Sequence, residues 1–155
     1  MSLKSLVASQ HRATVDAAAV HARAIDRPSV GWLRAMRKAL GMSGAQLARR
    51  LGVTRAVILQ AERNELAGTI GLQTLQRTAA AMGCRLVYAL VPVEGTADQL
   101  IEAQAHHQAR ALVDHAGEQM ALEAQGLSPQ QRLSEIERLQ RQLLVDLPSD
   151  LWDER

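Results

Sequence analysis

Apolar positions recur at three- and four-residue steps through most of the chain, the spacing that puts side chains on one face of an α-helix. Between residues 28 and 83 this pattern is cut into four short lengths. Val30, Leu33, Met36, Arg37 and Leu40 share the first face, which Gly41 closes; Pro28 discourages helix before it and Ser29 offers a cap. Ser43 opens a second length through Leu47 and Leu51, stopped by Gly52. Thr54 opens a third with Val57, Ile58 and Ala61 inward, and a fourth carries Leu72, Leu75, Ala79 and Met82 up to Gly83. Four short helices with tight turns predict one compact unit.

The period then changes. CRLVYALVP, Cys84 to Pro92, alternates and is rich in β-favouring residues, which predicts a strand through Leu86, Val87, Tyr88, Ala89 and Leu90. No second strand candidate exists, and a lone strand leaves its backbone donors and acceptors unpaired. Pairing with the same strand of a second copy about a two-fold axis is therefore expected. Beyond it, Leu100, Ile101, Ala105, Ala109, Leu112, Ala116 and Met120 make the stripe of one long helix over 96–125, ended by Gly126. Ser128 and Pro129 open a last helix with Leu133, Ile136, Leu139, Leu143 and Leu147 inward. An Ala-rich helix is also expected within residues 2–26, with Leu3, Leu6, Val7, Ala13, Ala17, Val20 and Ala24 near helical spacing. The expected fold is mainly α, in four parts: an N-terminal helical segment (1–27), a four-helix unit (28–83), a dimerising β-strand (84–93) and a C-terminal helical pair (94–155).

Charge divides the chain more sharply than its net +2 suggests. Residues 1–93 hold 13 Lys or Arg against 4 Asp or Glu, and residues 94–155 hold 5 against 12. A basic front suits a polyanion and an acidic back suits a different partner. The single Cys84 excludes an intrachain disulfide framework. No run approaches the roughly 18 apolar residues of a membrane span, and the beginning lacks the apolar core of a signal peptide, so a cytoplasmic protein is expected. His106 and His107 are adjacent and so point about 100° apart on a helix, a poor arrangement for a shared metal. No paired carboxylates, nucleophile with base, or metal-ligand cluster stands at useful spacing, so neither an enzyme nor a cofactor is expected.

The stretch QLARRLGVTRAVILQAERNE, Gln46 to Glu65, carries the clearest chemistry. A helix that reads base edges in a major groove must be held out from its body by a second helix across its back, through a short turn containing Gly. Gly52 turns the chain, Val53 fills the corner, and Thr54 caps the second helix. Arg55 and Ala56 are then first-turn residues, with Gln60 and Arg63 on the same outward side, while Leu47, Ala48, Leu51, Val57 and Ile58 face the other helices. Arg34, Lys38, Arg49, Arg50 and Arg63 would supply salt-dependent phosphate contacts. The expected partner is double-stranded DNA, read at a palindromic operator by a homodimer.

SGAQLARRLGVTRAVILQAERNE resembles the helix-turn-helix of the lambda-repressor-like, or XRE, class over about Val30 to Gly83. That resemblance implies a structural ion pair between Arg37 and Glu62. It also implies groove contacts from Thr54, Arg55, Ala56 and Gln60, and phosphate contacts from Ser43 and Gly44. Gln is common in that class where Gly44 and Ala56 stand here, so base reading falls mainly to Arg55 and Gln60.

GWLRAMRKALGMS, GVT, the Glu62–Arg63 pair, TLQRTAAAMGCRLVYALVP, MALE and the closing LWDE together resemble the small bacterial family called mobile mystery protein A. Its members are similar to XRE regulators and are typically encoded beside a Fic-domain protein, which implies an autorepressing antitoxin and its toxin. One class of Fic antitoxins inserts a glutamate in an (S/T)xxxE(G/N) motif. Here Glu94 precedes Gly95, but Leu90 stands where Ser or Thr is needed. Restraint of a Fic partner would therefore use other contacts, with the acidic back half and Trp152 as candidates. An alternative is an antitoxin that mainly masks its toxin, with DNA binding secondary.

Overall fold

The computed structural model describes residues 3–122 and 126–153. Its elements are α1 (Leu3–Ala22), α2 (Trp32–Ala39), α3 (Gly44–Leu51), α4 (Arg55–Ala67), α5 (Leu72–Ala81), α6 (Ala97–Leu122) and α7 (Pro129–Asp146). They fall into two compact units, one of Val20–Ala89 and one of Met1–Ala19 with Leu90–Arg155. The last turn expected of the long helix, residues 123–125, lies outside the described residues, as do the last residue of MALE and the side chain of Met120. Glu154 of LWDE lies outside them too.

In the unit of residues 20–89, α2 to α5 surround a small core of Leu33, Leu47, Ala48, Ile58, Ala61 and Met82, with Leu51, Val53 and Leu75 packed against it. Every one of these helices ends in the same pair of backbone bonds. After α3, for example, the amide of Val53 donates to Ala48 and that of Gly52 to Arg49, and Gly52 takes φ 67° to allow it. A non-glycine residue would pay a steric cost in that conformation. Val57, expected inward, is half exposed, because helix rotation gives the buried stripe to Ile58, Ala61, Glu62 and Glu65.

Helix α2 begins differently from the sequence expectation. Ser29 does not cap it; the N-cap is Gly31, which has no side chain to offer. The carboxylate of Glu65, from the end of α4, takes its place. Glu65 Oε1 accepts from the Trp32 amide at 2.7 Å and Oε2 from the Leu33 amide at 2.9 Å. Gly31 adopts φ 79°, and a Cβ there would stand 2.9 Å from Glu65 Oε2. Both conformation and space therefore demand glycine. Arg27 donates to the Glu65 carbonyl at 3.0 Å and fastens the incoming chain to the same point.

The expected strand is a correction. No strand occurs among the described residues, and Leu86, Val87, Tyr88, Ala89 and Leu90 run without regular secondary structure. From Arg85 to Val93 no backbone amide or carbonyl is hydrogen-bonded among the described residues. The physical reason is that a strand exists only through its ladder, and one copy of this chain offers no second extended edge. Val87 and Leu90 are left 73% and 88% exposed.

In the other unit, α6 and α7 pack as an antiparallel pair through Ala109, Val113 and Ile136, with Leu139 and Leu143 beside them. Ala105 and Ala109 are fully buried, which lets neighbouring backbone approach α6 closely. The stripe expected on α1 is rotated: Ala19 is buried while Leu3 and Val20 are exposed. Arg12 pairs with Asp98 at 2.8 Å, and Asp16 accepts from the Ala97 amide at 2.9 Å, capping α6. The C-terminal tail is held by Gln104 and Gln108, which donate to the carbonyls of Leu151 and Asp150. Leu151 is the buried plug, and Trp152 is 59% exposed.

Candidate nucleic-acid interface

Helices α3 and α4 and the turn between them set the geometry. The Ser43 hydroxyl accepts from the Gln46 amide at 3.1 Å, and the Gln46 side chain accepts from the Ser43 amide at 2.7 Å. This reciprocal box fixes the start of α3. The amides of Gly44 and Ala45 keep no acceptor among the described residues, at the positive end of the helix dipole. Thr54 caps α4 by accepting from the Val57 amide at 3.4 Å.

Beneath this surface, Arg37 Nε and Arg37 Nη2 donate to the two carboxylate oxygens of Glu62 at 2.6 and 3.1 Å, joining α2 to α4. Both residues are buried, and a third donor of Arg37 reaches the Met42 carbonyl at 3.1 Å. The hydrogen bond to Glu62 holds the Arg37 guanidinium above its ordinary pKa, against the opposing effect of burial. A bidentate, fully occupied pair of this kind fixes the angle at which α4 leaves the core. Removing either partner would leave a buried charge uncompensated.

The outward face of α4 carries Arg55, Ala56, Leu59, Gln60 and Arg63, all exposed. Arg55 makes no hydrogen bond or ion pair among the described residues. Its stem lies back over the start of α3, with Cγ 3.6 Å and Nε 3.9 Å from where a Cβ on Gly44 would sit. A Cβ at residue 44 would meet Arg55 at ordinary contact distance. Gln60 is placed differently: its Nε2 donates to Asn64 at 2.7 Å, and its Oε1 accepts from Arg63 at 3.0 Å.

Residues 33–88 match the family described as Helix-turn-helix, of the XRE type. They form a helix-turn-helix domain. No curated protein and no solved structure matches the chain. A helix-turn-helix domain suggests DNA binding, and its α4 stands where a recognition helix stands.

The domain's basic residues divide into two kinds. Arg34, Lys38 and Arg49 are exposed and unpaired among the described residues. Arg50 instead donates to the Ala81 carbonyl at 3.1 Å, and Arg77 to the Leu51 carbonyl at 3.2 Å, so each closes the C-terminal end of a neighbouring helix. Sequence reading overlooked Glu65, Leu59 and Asn64. Glu65 had one available signal, a glycine preceding a helix with no capping side chain of its own. Among the described residues no group of three His, Cys, Asp or Glu could hold a metal ion, and no helix is long and apolar enough to cross a membrane.

Proposed function

We propose that the chain is a sequence-specific DNA-binding transcriptional regulator, in which α4 enters the major groove with Arg55 and Gln60 as its main readers. The observation that carries this reading is the outward face of α4: exposed, carrying the polar side chains of Arg55, Gln60 and Arg63, and fixed from behind by the buried Arg37–Glu62 pair. Thr54 and Ala56 flank the readers, and Ala56 offers a methyl to a thymine methyl. Ser43, Gly44, Arg34, Lys38, Arg49 and Arg63 meet phosphates, while Arg50 contributes charge from a position already tied to α5. The regulator acts as a homodimer. The open backbone of residues 85–93 supports this, since a second copy supplies the ladder that one chain lacks.

The wider role follows the resemblance to mobile mystery protein A: an autorepressing antitoxin whose toxin is a Fic-domain protein. The acidic unit and exposed Trp152 are the surfaces offered to that toxin. A second reading, an antitoxin that works chiefly by masking, draws support from Gly44 and Ala56, which give no polar side chain for base recognition. One experiment separates the two. Arg55→Ala combined with Gln60→Ala is assayed for binding to the DNA upstream of the chain's own reading frame and for protection against the co-expressed Fic protein. The repressor reading expects binding to collapse by at least roughly 100-fold. Unchanged binding overturns it, and retained protection with lost binding assigns protection to protein contacts alone.

A further inference from the structure

Glutamine is an ambiguous reader by itself. Its amide turns freely, so the donor and the acceptor can exchange places, and ordering its three side-chain torsions costs entropy on binding. Here the amide is held from both ends by its own helix. Asn64, four residues on, takes one Nε2 hydrogen at 2.7 Å, and Arg63, three residues on, donates to Oε1 at 3.0 Å. Residues three and four apart share a helical face, so all three members of the clamp are carried by α4 itself. Arg63 can only donate, so it fixes Oε1 as the acceptor end, and by count one N–H and one lone pair of Gln60 remain for a base.

We propose that Asn64 is a positioning residue that, with Arg63, orients Gln60 to read adenine. This rests on the DNA-binding reading above. Adenine presents an acceptor, N7, beside a donor, N6–H, in the major groove, and the remaining N–H and lone pair of Gln60 match them in that order. Guanine presents two acceptors, N7 and O6, so the same amide satisfies one and sets its oxygen against the other. Asn64 touches no base in this scheme. It acts by holding the nitrogen end of the amide while the donor-only guanidinium of Arg63 holds the oxygen end.

The test selects bound sequences from randomised duplexes with the full chain, then measures equilibrium binding to the selected site and to the same site with its Gln60-dependent adenine replaced by guanine. The wild type is expected to prefer adenine by about tenfold or more. Asn64→Leu, which cannot accept the hydrogen bond, is expected to reduce that ratio to about twofold. Asn64→Asp keeps an acceptor in place and is expected to retain the ratio even as its charge lowers affinity for both duplexes equally. A ratio unchanged in Asn64→Leu, or lost as fully in Asn64→Asp, overturns the inference, as does a selected site with no adenine sensitive to Gln60→Ala. If the wild type selects no sequence at all, the DNA-binding reading itself fails. The two failures are thereby told apart.

Discussion

Glu65 ties three parts of the domain together: the end of α4, the start of α2 and the chain entering at Arg27. It caps α2 through two backbone amides, its carbonyl receives Arg27, and its carboxylate occupies the space a Cβ on Gly31 would need. Glu65→Ala strands two amides at the start of α2 and should cost roughly 2–3 kcal/mol in urea denaturation. Gly31→Ala should cost about 2 kcal/mol or more, because the new methyl is strained at positive φ and collides with the same carboxylate. A double variant that removes both should lose clearly less than the two single losses combined, since the sites share one contact. The uncapped glycine before α2 is the one sequence signal for this bond and names no partner: the bond spans 32 residues, and a glutamate near a helix end reads first as a solvated one.

At the scale of elements, the four helices from 32 to 81 were legible because glycine punctuation, capping residues and apolar period all agree there. What was not legible is the rotation of α1 and the exposure of Val57, since an Ala-rich or apolar-rich helix marks its buried face only weakly. The strand misled for another reason: its composition is right, but a ladder needs a partner that composition cannot supply. Basic residues that look alike also separate by what their helices need. Arg49→Ala should lower the slope of log K against log salt by about 1 and leave the melting temperature unchanged, as for a lost phosphate contact. Arg50→Ala should instead lower the melting temperature, because the Ala81 carbonyl loses its donor. Thermal melts and salt titrations of the two variants side by side check the division.

For the whole molecule, the proposed homodimer rests on the open segment of residues 85–93, whose ladder a second copy would supply. Tyr88→Pro removes a backbone donor at a position 66% exposed, so each copy should stay folded while sedimentation shows monomers in place of dimers. A wild type that sediments as a monomer at tens of micromolar would refute the pairing. The central claim is that α4 reads DNA sequence, and the most direct measurement titrates wild type and the Arg55→Ala, Gln60→Ala variant against a selected duplex and a scrambled one across roughly 50 to 200 mM salt. The account predicts that the wild type favours the selected duplex by about 1,000-fold or more, and that the variant keeps its salt-dependent affinity but loses the preference. Equal wild-type affinity for the two duplexes, or a preference that survives in the variant, would contradict it.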